Sequence, residues 1–99
     1  MAFRTIKYTD GEYYGETNWK KKPHGFGTLS FANGEDISGD WVNGELHGHA
    51  MYNYKNGDQL SGYFVHGVLH GTSFYYCANG EEYQMEFSNG QKISEKRIV

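Results

Sequence analysis

Apolar and polar residues alternate along this chain in short runs, and glycine turns separate the runs. From Ile37 to Val42 the apolar Ile37 and Trp41 alternate with Ser38 and Asp40. From His49 to Tyr54 the sequence Ala50, Tyr52, Tyr54 alternates with His49, Met51 and Asn53. A period of two over such lengths predicts half-buried β-strands. Asn43-Gly44 follows the first run and Asn56-Gly57 the second. Asn-Gly is a strong hairpin signal, because both central residues of a type I′ turn need positive φ. The same grammar predicts strands over 60–65, 72–77 and 83–88, and an opening strand over 3–9 (Phe3, Ile6, Tyr8) that ends at Asp10-Gly11.

The turns recur with a period of 23 residues. His24-Gly25, His47-Gly48 and His70-Gly71 form one series. Asp10-Gly11, Asn33-Gly34, Asn56-Gly57 and Asn79-Gly80 form a second, and Asn43-Gly44, His66-Gly67 and Asn89-Gly90 a third. Three dipeptide series on one period mark a repeat protein. The units are about 14–36, 37–59 and 60–82, with a half unit over 83–90 and a charged tail over 91–99, all in one domain spanning 1–99. The expected fold is all-β, a single elongated twisted antiparallel meander of about eight strands. The tail is expected to be a short cap or a frayed end. In the first unit, strict periodicity puts Tyr14, Glu16 and Asn18 at the inward positions. Tyr13, Gly15 and Trp19 suit them better, which predicts a bulge near 17–19.

Alternation also divides the side chains between two faces. Ile37, Gly39, Trp41, Leu60, Gly62, Phe64, Tyr83 and Phe87 share one with Leu29, Phe31, Ala50, Tyr52, Tyr54, Tyr75 and Cys77. Glycine opposite aromatic residues lets rings lie flat on the backbone, so this is the expected core face. The other face carries Phe26, Met51, Tyr63, Phe74 and Tyr76 among small and polar residues, and it changes from unit to unit.

Composition narrows the function. The chain has 9 Lys+Arg against 12 Asp+Glu, net charge -3, which argues against nucleic-acid binding. One cysteine, no apolar leader and no run of 18 apolar residues lead to the expectation of a soluble cytoplasmic protein. Equivalent histidines in successive units lie two strands apart, roughly 9–10 Å. Two nitrogens on one zinc are at most about 4 Å apart, so His24, His47 and His70 are expected to bond their own turns and not a metal. His49 and His66 are expected neighbours without a third ligand. Cys77 falls on the core face, where a thiol is inert, and no glycine-rich segment opens a helix to cradle phosphate. No catalysis, cofactor or metal is expected. Lys20, Lys21 and Lys22 beside Trp19 form the one basic cluster, suited to weak contact with an anionic membrane.

The pattern Ile37-x-Gly39-x-Trp41-x-x-Gly44-x-x-His47-Gly48-x-Ala50-x-x-x-Tyr54-x-x-Gly57 resembles the MORN (membrane occupation and recognition nexus) repeat over about residues 8–90. His24-Gly25-Phe26-Gly27 matches that repeat's His-Gly-x-Gly core. Ala50, Phe64, Ser73, Met85 and Phe87 depart from it, in a manner similar to the looser MORN-like repeats of bacterial antitoxin-type proteins. The resemblance implies an elongated hairpin array with no enzymatic activity, acting as a protein-binding or dimerising module. The expected function is therefore a small adaptor or inhibitor, including an antitoxin-type inhibitor, binding a protein partner. Phe26, Met51, Tyr63, Phe74 and Tyr76 are its candidate contacts, since aromatics and methionine are enriched at interface cores. Binding of anionic phospholipid through Lys20, Lys21 and Lys22 is the alternative. Open sheet edges at both ends lead to an expected homodimer.

Overall fold

Ten strands form one antiparallel sheet in the structure, a computed structural model that describes residues 2–99. They are β1 (Ala2–Tyr8), β2 (Gly11–Thr17), β3 (Pro23–Phe31), β4 (Asp36–Val42), β5 (Glu45–Asn53), β6 (Gln59–Val65), β7 (Val68–Leu69), β8 (Gly71–Tyr76), β9 (Glu82–Ser88) and β10 (Gln91–Arg97). Each pairs with its neighbours in chain order, except that β7 and β8 both pair with β6. The sheet is a single layer 42 Å long in its longest dimension. That is close to the span of nine strands at about 4.8 Å each.

The expected tail corrects to a strand. β10 pairs with β9, and Ile98 and Val99 turn back so that Glu82 N–H donates to the Val99 carbonyl (3.0 Å). With β7 a separate short strand, the count rises from eight to ten.

The two turn series differ. Asn43 and Gly44, His66 and Gly67, and Asn89 and Gly90 all have positive φ, as a type I′ turn requires. In the other series only Gly34, Gly57 and Gly80 do. There Phe31 N–H donates to the Glu35 carbonyl (2.8 Å), closing a wider loop, and Tyr54–Asp58 and Cys77–Glu81 repeat the bond. Asn33, Asn56 and Asn79 serve that loop with their side chains, each accepting from the N–H two residues on.

Each His-Gly pair is a bulge. Gly39 faces Ala50 and Trp41 faces Leu46, so His47, Gly48 and His49 together oppose Asp40 alone. Gly15/Gly27 and Thr17/Pro23 bracket the same bulge around His24-Gly25. The bulge expected near 17–19 thus lies instead on the opposing strand, at His24-Gly25, and it recurs in the later units. The extra residue of that unit lies in the turn over 18–22, because Thr17 pairs with Pro23 across five residues and Trp41 with Leu46 across four. Thr17, 1% exposed, takes the place of Trp41, while Trp19 stands 86% exposed in the turn. Asn18 holds that turn, accepting from the Lys20 and Lys22 N–H groups.

The bulge also corrects the histidine expectation. Asn43 N–H donates to His24 Nδ1 (3.2 Å), His66 N–H to His47 Nδ1 (3.2 Å), and Asn89 N–H to His70 Nδ1 (3.3 Å). Each imidazole thus holds the next unit's turn and not its own, because the bulge brings it beside the end of the following strand. The adjacent glycine N–H groups of Gly44, Gly67 and Gly90 donate to the carbonyls of Pro23, Leu46 and Leu69.

Carboxylates do the same along the opposite edge. Glu35 accepts from the Lys55 N–H (3.0 Å) and the Tyr52 hydroxyl (2.9 Å); Asp58 accepts from Ala78 N–H (2.8 Å) and the Tyr75 hydroxyl (2.7 Å). The Lys55 amide, then the Tyr52 hydroxyl, hold the Glu35 carboxyl below its ordinary range; for Asp58 the Tyr75 hydroxyl leads and the Ala78 amide follows. Burial, then Glu35, push the Tyr52 phenol up to about 12. A carboxylate whose folded pKa is depressed contributes stability that is complete above its unfolded pKa, about 4, and lost as pH falls through the folded value. Thermal unfolding followed from pH 7 to pH 3 is therefore expected to show a drop below about pH 4. Glu35→Gln/Asp58→Asn is expected to flatten it, and an unchanged slope would remove these clamps as its source.

The core lies on the expected face, where Tyr13, Ile37, Trp41, Leu46 and Ala50 are buried among Ile6, Leu29, Phe31, Tyr52 and Phe64. Tyr13 meets Trp41 edge-on (5.5 Å between centroids), and Trp41 Nε1–H donates to the Gly27 carbonyl (3.0 Å). The Tyr13 phenol lies over Gly27, where a Cβ would overlap it. In the third unit Ser73 occupies the position of Gly27 and Ala50, fully buried, and Met85 fills the same row.

Candidate protein-binding face

The opposite face is read off the strand register. One row crosses the whole sheet: Thr5, Tyr14, Thr28, Ser38, Met51, Ser61, Phe74, Gln84, Lys96. A second, one pleat away, runs Lys7, Glu12, Ser30, Asp36, Asn53, Gln59, Tyr76, Glu82. On the other side lie Phe26 opposite Asp40, His49 opposite Tyr63, and Thr72 opposite Glu86.

Four of the five candidate residues fall on β5, β6 and β8. Met51 and Phe74 sit on either side of the small Ser61 in the cross-strand row. Tyr63, two residues from Ser61 on β6, lies on the same face and is 40% exposed. Its ring meets His49 edge-on at 5.0 Å. Tyr76 follows Phe74 by two residues and so lies on the same face. The β10 tail extends the edge of the sheet and does not cover this face.

Phe26 stands apart. The polar Ser38 and Asp40 of β4 separate it from Met51. It belongs with Tyr14 and Phe3, a second exposed aromatic group at the β1–β3 end, in which Phe3 and Tyr14 lie 6.1 Å apart. Sequence reasoning missed Phe3 and Tyr14. The signal was that Phe3 is out of phase with Ile6 and Tyr8, which point to the core face.

Lys20, Lys21 and Lys22 lie on neither face. They occupy the turn between β2 and β3, where Lys21 has φ 62 and the Lys20 ammonium sits 5.2 Å above the Trp19 ring.

Acid–base and metal chemistry find little to build on. His66 neighbours His47, with ring centroids 5.0 Å apart, and not His49 as expected. Among the described residues no three of His, Cys, Asp and Glu are placed to hold a metal ion. Burial first, then Asp58 and Glu81, push the Cys77 thiol up, away from the nucleophilic thiolate.

The MORN repeat profile matches residues 19–35, 38–59 and 61–82, well over half of the chain. The chain belongs to the MORN repeat family. No curated protein matches it closely enough to name a relative. The MORN repeat is a non-enzymatic interaction module for proteins and membrane lipids. In this MORN chain the recurrent His, Gly and Asn residues are spent on the bulges, turns and clamps that join one unit to the next. That leaves the face carrying Met51, Ser61 and Phe74 as the part that varies between units.

Proposed function

We propose that this protein is a small adaptor or inhibitor that binds another protein through the face built by Met51, Tyr63, Phe74 and Tyr76. The observation that carries this is the placement of Met51, Phe74, Tyr63 and Tyr76 on one face of the adjacent strands β5, β6 and β8, around the small Ser61, with no second layer over them among the described residues. Clustered aromatic anchors are the usual seats of binding energy in protein interfaces. Phe26 is an outlying contact, reached only by a partner wide enough to cross β4.

The test is capture of a binding partner by the wild-type chain and by Phe74→Ser/Tyr76→Ser, with circular dichroism confirming that the variant is folded. Loss of two such anchors is expected to cost about 2 kcal/mol or more, at least 30-fold in affinity. Unchanged capture would move the site elsewhere.

The second reading, a peripheral binder of anionic phospholipid, is favoured by Lys20, Lys21 and Lys22 beside the exposed Trp19. Co-sedimentation with acidic vesicles separates the two. Strong binding abolished by reversing the three lysine charges would support the lipid reading, and weak binding insensitive to them would leave the protein-binding face.

A further inference from the structure

We propose that a depression on the core face, over β1 to β4, binds a trimethylammonium group. The depression measures about 320 Å³, at the lower end for sites that take small ligands. Tyr8, 49% exposed, and the half-buried Phe31 form its walls. Trp41 is its floor, backed by the fully buried Tyr13. Asp10 supplies the one charged group in the lining, and the remaining lining residues are apolar or glycine.

Two of these residues depart from the repeat. In the later units the equivalent of Asp10 is Asn33, Asn56 or Asn79, whose side chain accepts from the N–H two residues on. β1 and β2 join through Thr9 and Asp10 alone, since Tyr8 pairs with Gly11, so Asp10 has no such loop to hold. Among the described residues it enters no ion pair either. Tyr13 stands in the cross-strand row where the later units place Ile37 and Leu60. The architecture therefore accounts for neither the acid nor the ring behind the floor.

The chemistry of the lining selects the ligand. The polar hydrogens of the floor are already used, Trp41 Nε1–H on the Gly27 carbonyl (3.0 Å) and the Tyr13 hydroxyl on the Glu16 carbonyl (2.7 Å). The Gly44 N–H is used too, on the Pro23 carbonyl (2.8 Å). An anion or a neutral polar ligand thus finds few donors, and the Asp10 carboxylate repels the anion. A primary ammonium brings N–H donors that ring faces leave unsatisfied. A trimethylammonium group brings none. Its positive charge is spread over methyl groups, which rest on ring faces while the carboxylate neutralises them. The rest of the molecule leaves along an adjoining depression of about 280 Å³, which shares Asp10 and Phe31 and continues to Tyr52. The site lies on the face opposite Met51 and Phe74, so it stands or falls separately from the protein-binding face.

Calorimetric titration of the full chain with choline is the test. Choline is expected to bind in the millimolar range or tighter, and the neutral alcohol in which carbon replaces its nitrogen at least about tenfold more weakly. Asp10→Asn, which installs the residue of the later units, is expected to weaken choline on the order of tenfold. Tyr8→Leu keeps an apolar contact and removes the ring, and is expected to weaken it roughly three- to thirty-fold. Both side chains are exposed, and circular dichroism melts check that both variants are folded. A peptide with one trimethyllysine, set against the same peptide with plain lysine, assigns the source. Binding tighter than choline makes the ligand a modified protein side chain, and binding no tighter makes it a free small cation; either supports the site. No choline binding at tens of millimolar would overturn the proposal. Equal binding of the neutral alcohol, or an unchanged affinity in either variant, would do the same.

Discussion

Trp41→Ala is expected to remove about 3–5 kcal/mol of stability, the range for truncating a large buried aromatic side chain. For a domain of this size, each kcal/mol lowers the melting temperature by about 4–8 °C, so the transition should fall by more than about 12 °C. The indole is 7% exposed, meets Tyr13 edge-on and donates to the Gly27 carbonyl, so its loss opens a cavity and strands an acceptor. Trp19→Ala is the control. At 86% exposed it is expected to change stability by less than about 0.5 kcal/mol. Equal effects for the two tryptophans would mean that the core is not where the structure places it.

Gly27→Ala is expected to cost about 1–3 kcal/mol or more, although it adds a single methyl group. The reason is not backbone strain, since Gly27 is not among the glycines with positive φ. The new Cβ would occupy the space of the Tyr13 phenol, whose hydroxyl is tied to the Glu16 carbonyl (2.7 Å) and cannot swing away freely. The double variant Gly27→Ala/Tyr13→Ala should therefore cost less than the sum of the two single changes by about 1 kcal/mol. Urea denaturation of the four proteins measures that difference. Strict additivity would show that the ring does not rest on Gly27.

How much of this was legible depended on whether a residue acts within its strand or across units. Alternation assigned Ile37, Trp41, Leu29, Ala50 and Tyr52 to the core face, and the glycine periodicity set the number of units. Both signals are local. The roles of His24, His47 and His70 were not legible, because each bonds a turn that follows it in sequence by 19 residues and reaches it through a bulge. Trp19 misled because a large aromatic residue suits a core position, and nothing local shows that an extra turn residue carries it out to solvent. The β10 tail looked like a cap because its residues are all exposed, and an outermost strand of a one-layer sheet has little to bury. For the candidate face, alternation put Met51, Tyr63, Phe74 and Tyr76 on one side. That Ser61 stands between Met51 and Phe74, and that Ser38 and Asp40 cut off Phe26, needed the register.

The clamps described along both edges have a consequence for length. The histidine and carboxylate bonds each link a unit to the one directly after it, and none reaches further. A unit inserted at a hairpin would meet the same partners its neighbours meet, and would lengthen the sheet by two strands, roughly 9–10 Å. Such a chain works as a ruler with uniform divisions. Two contact points on its surface can be set apart in steps of one hairpin, with neither point having to be rebuilt.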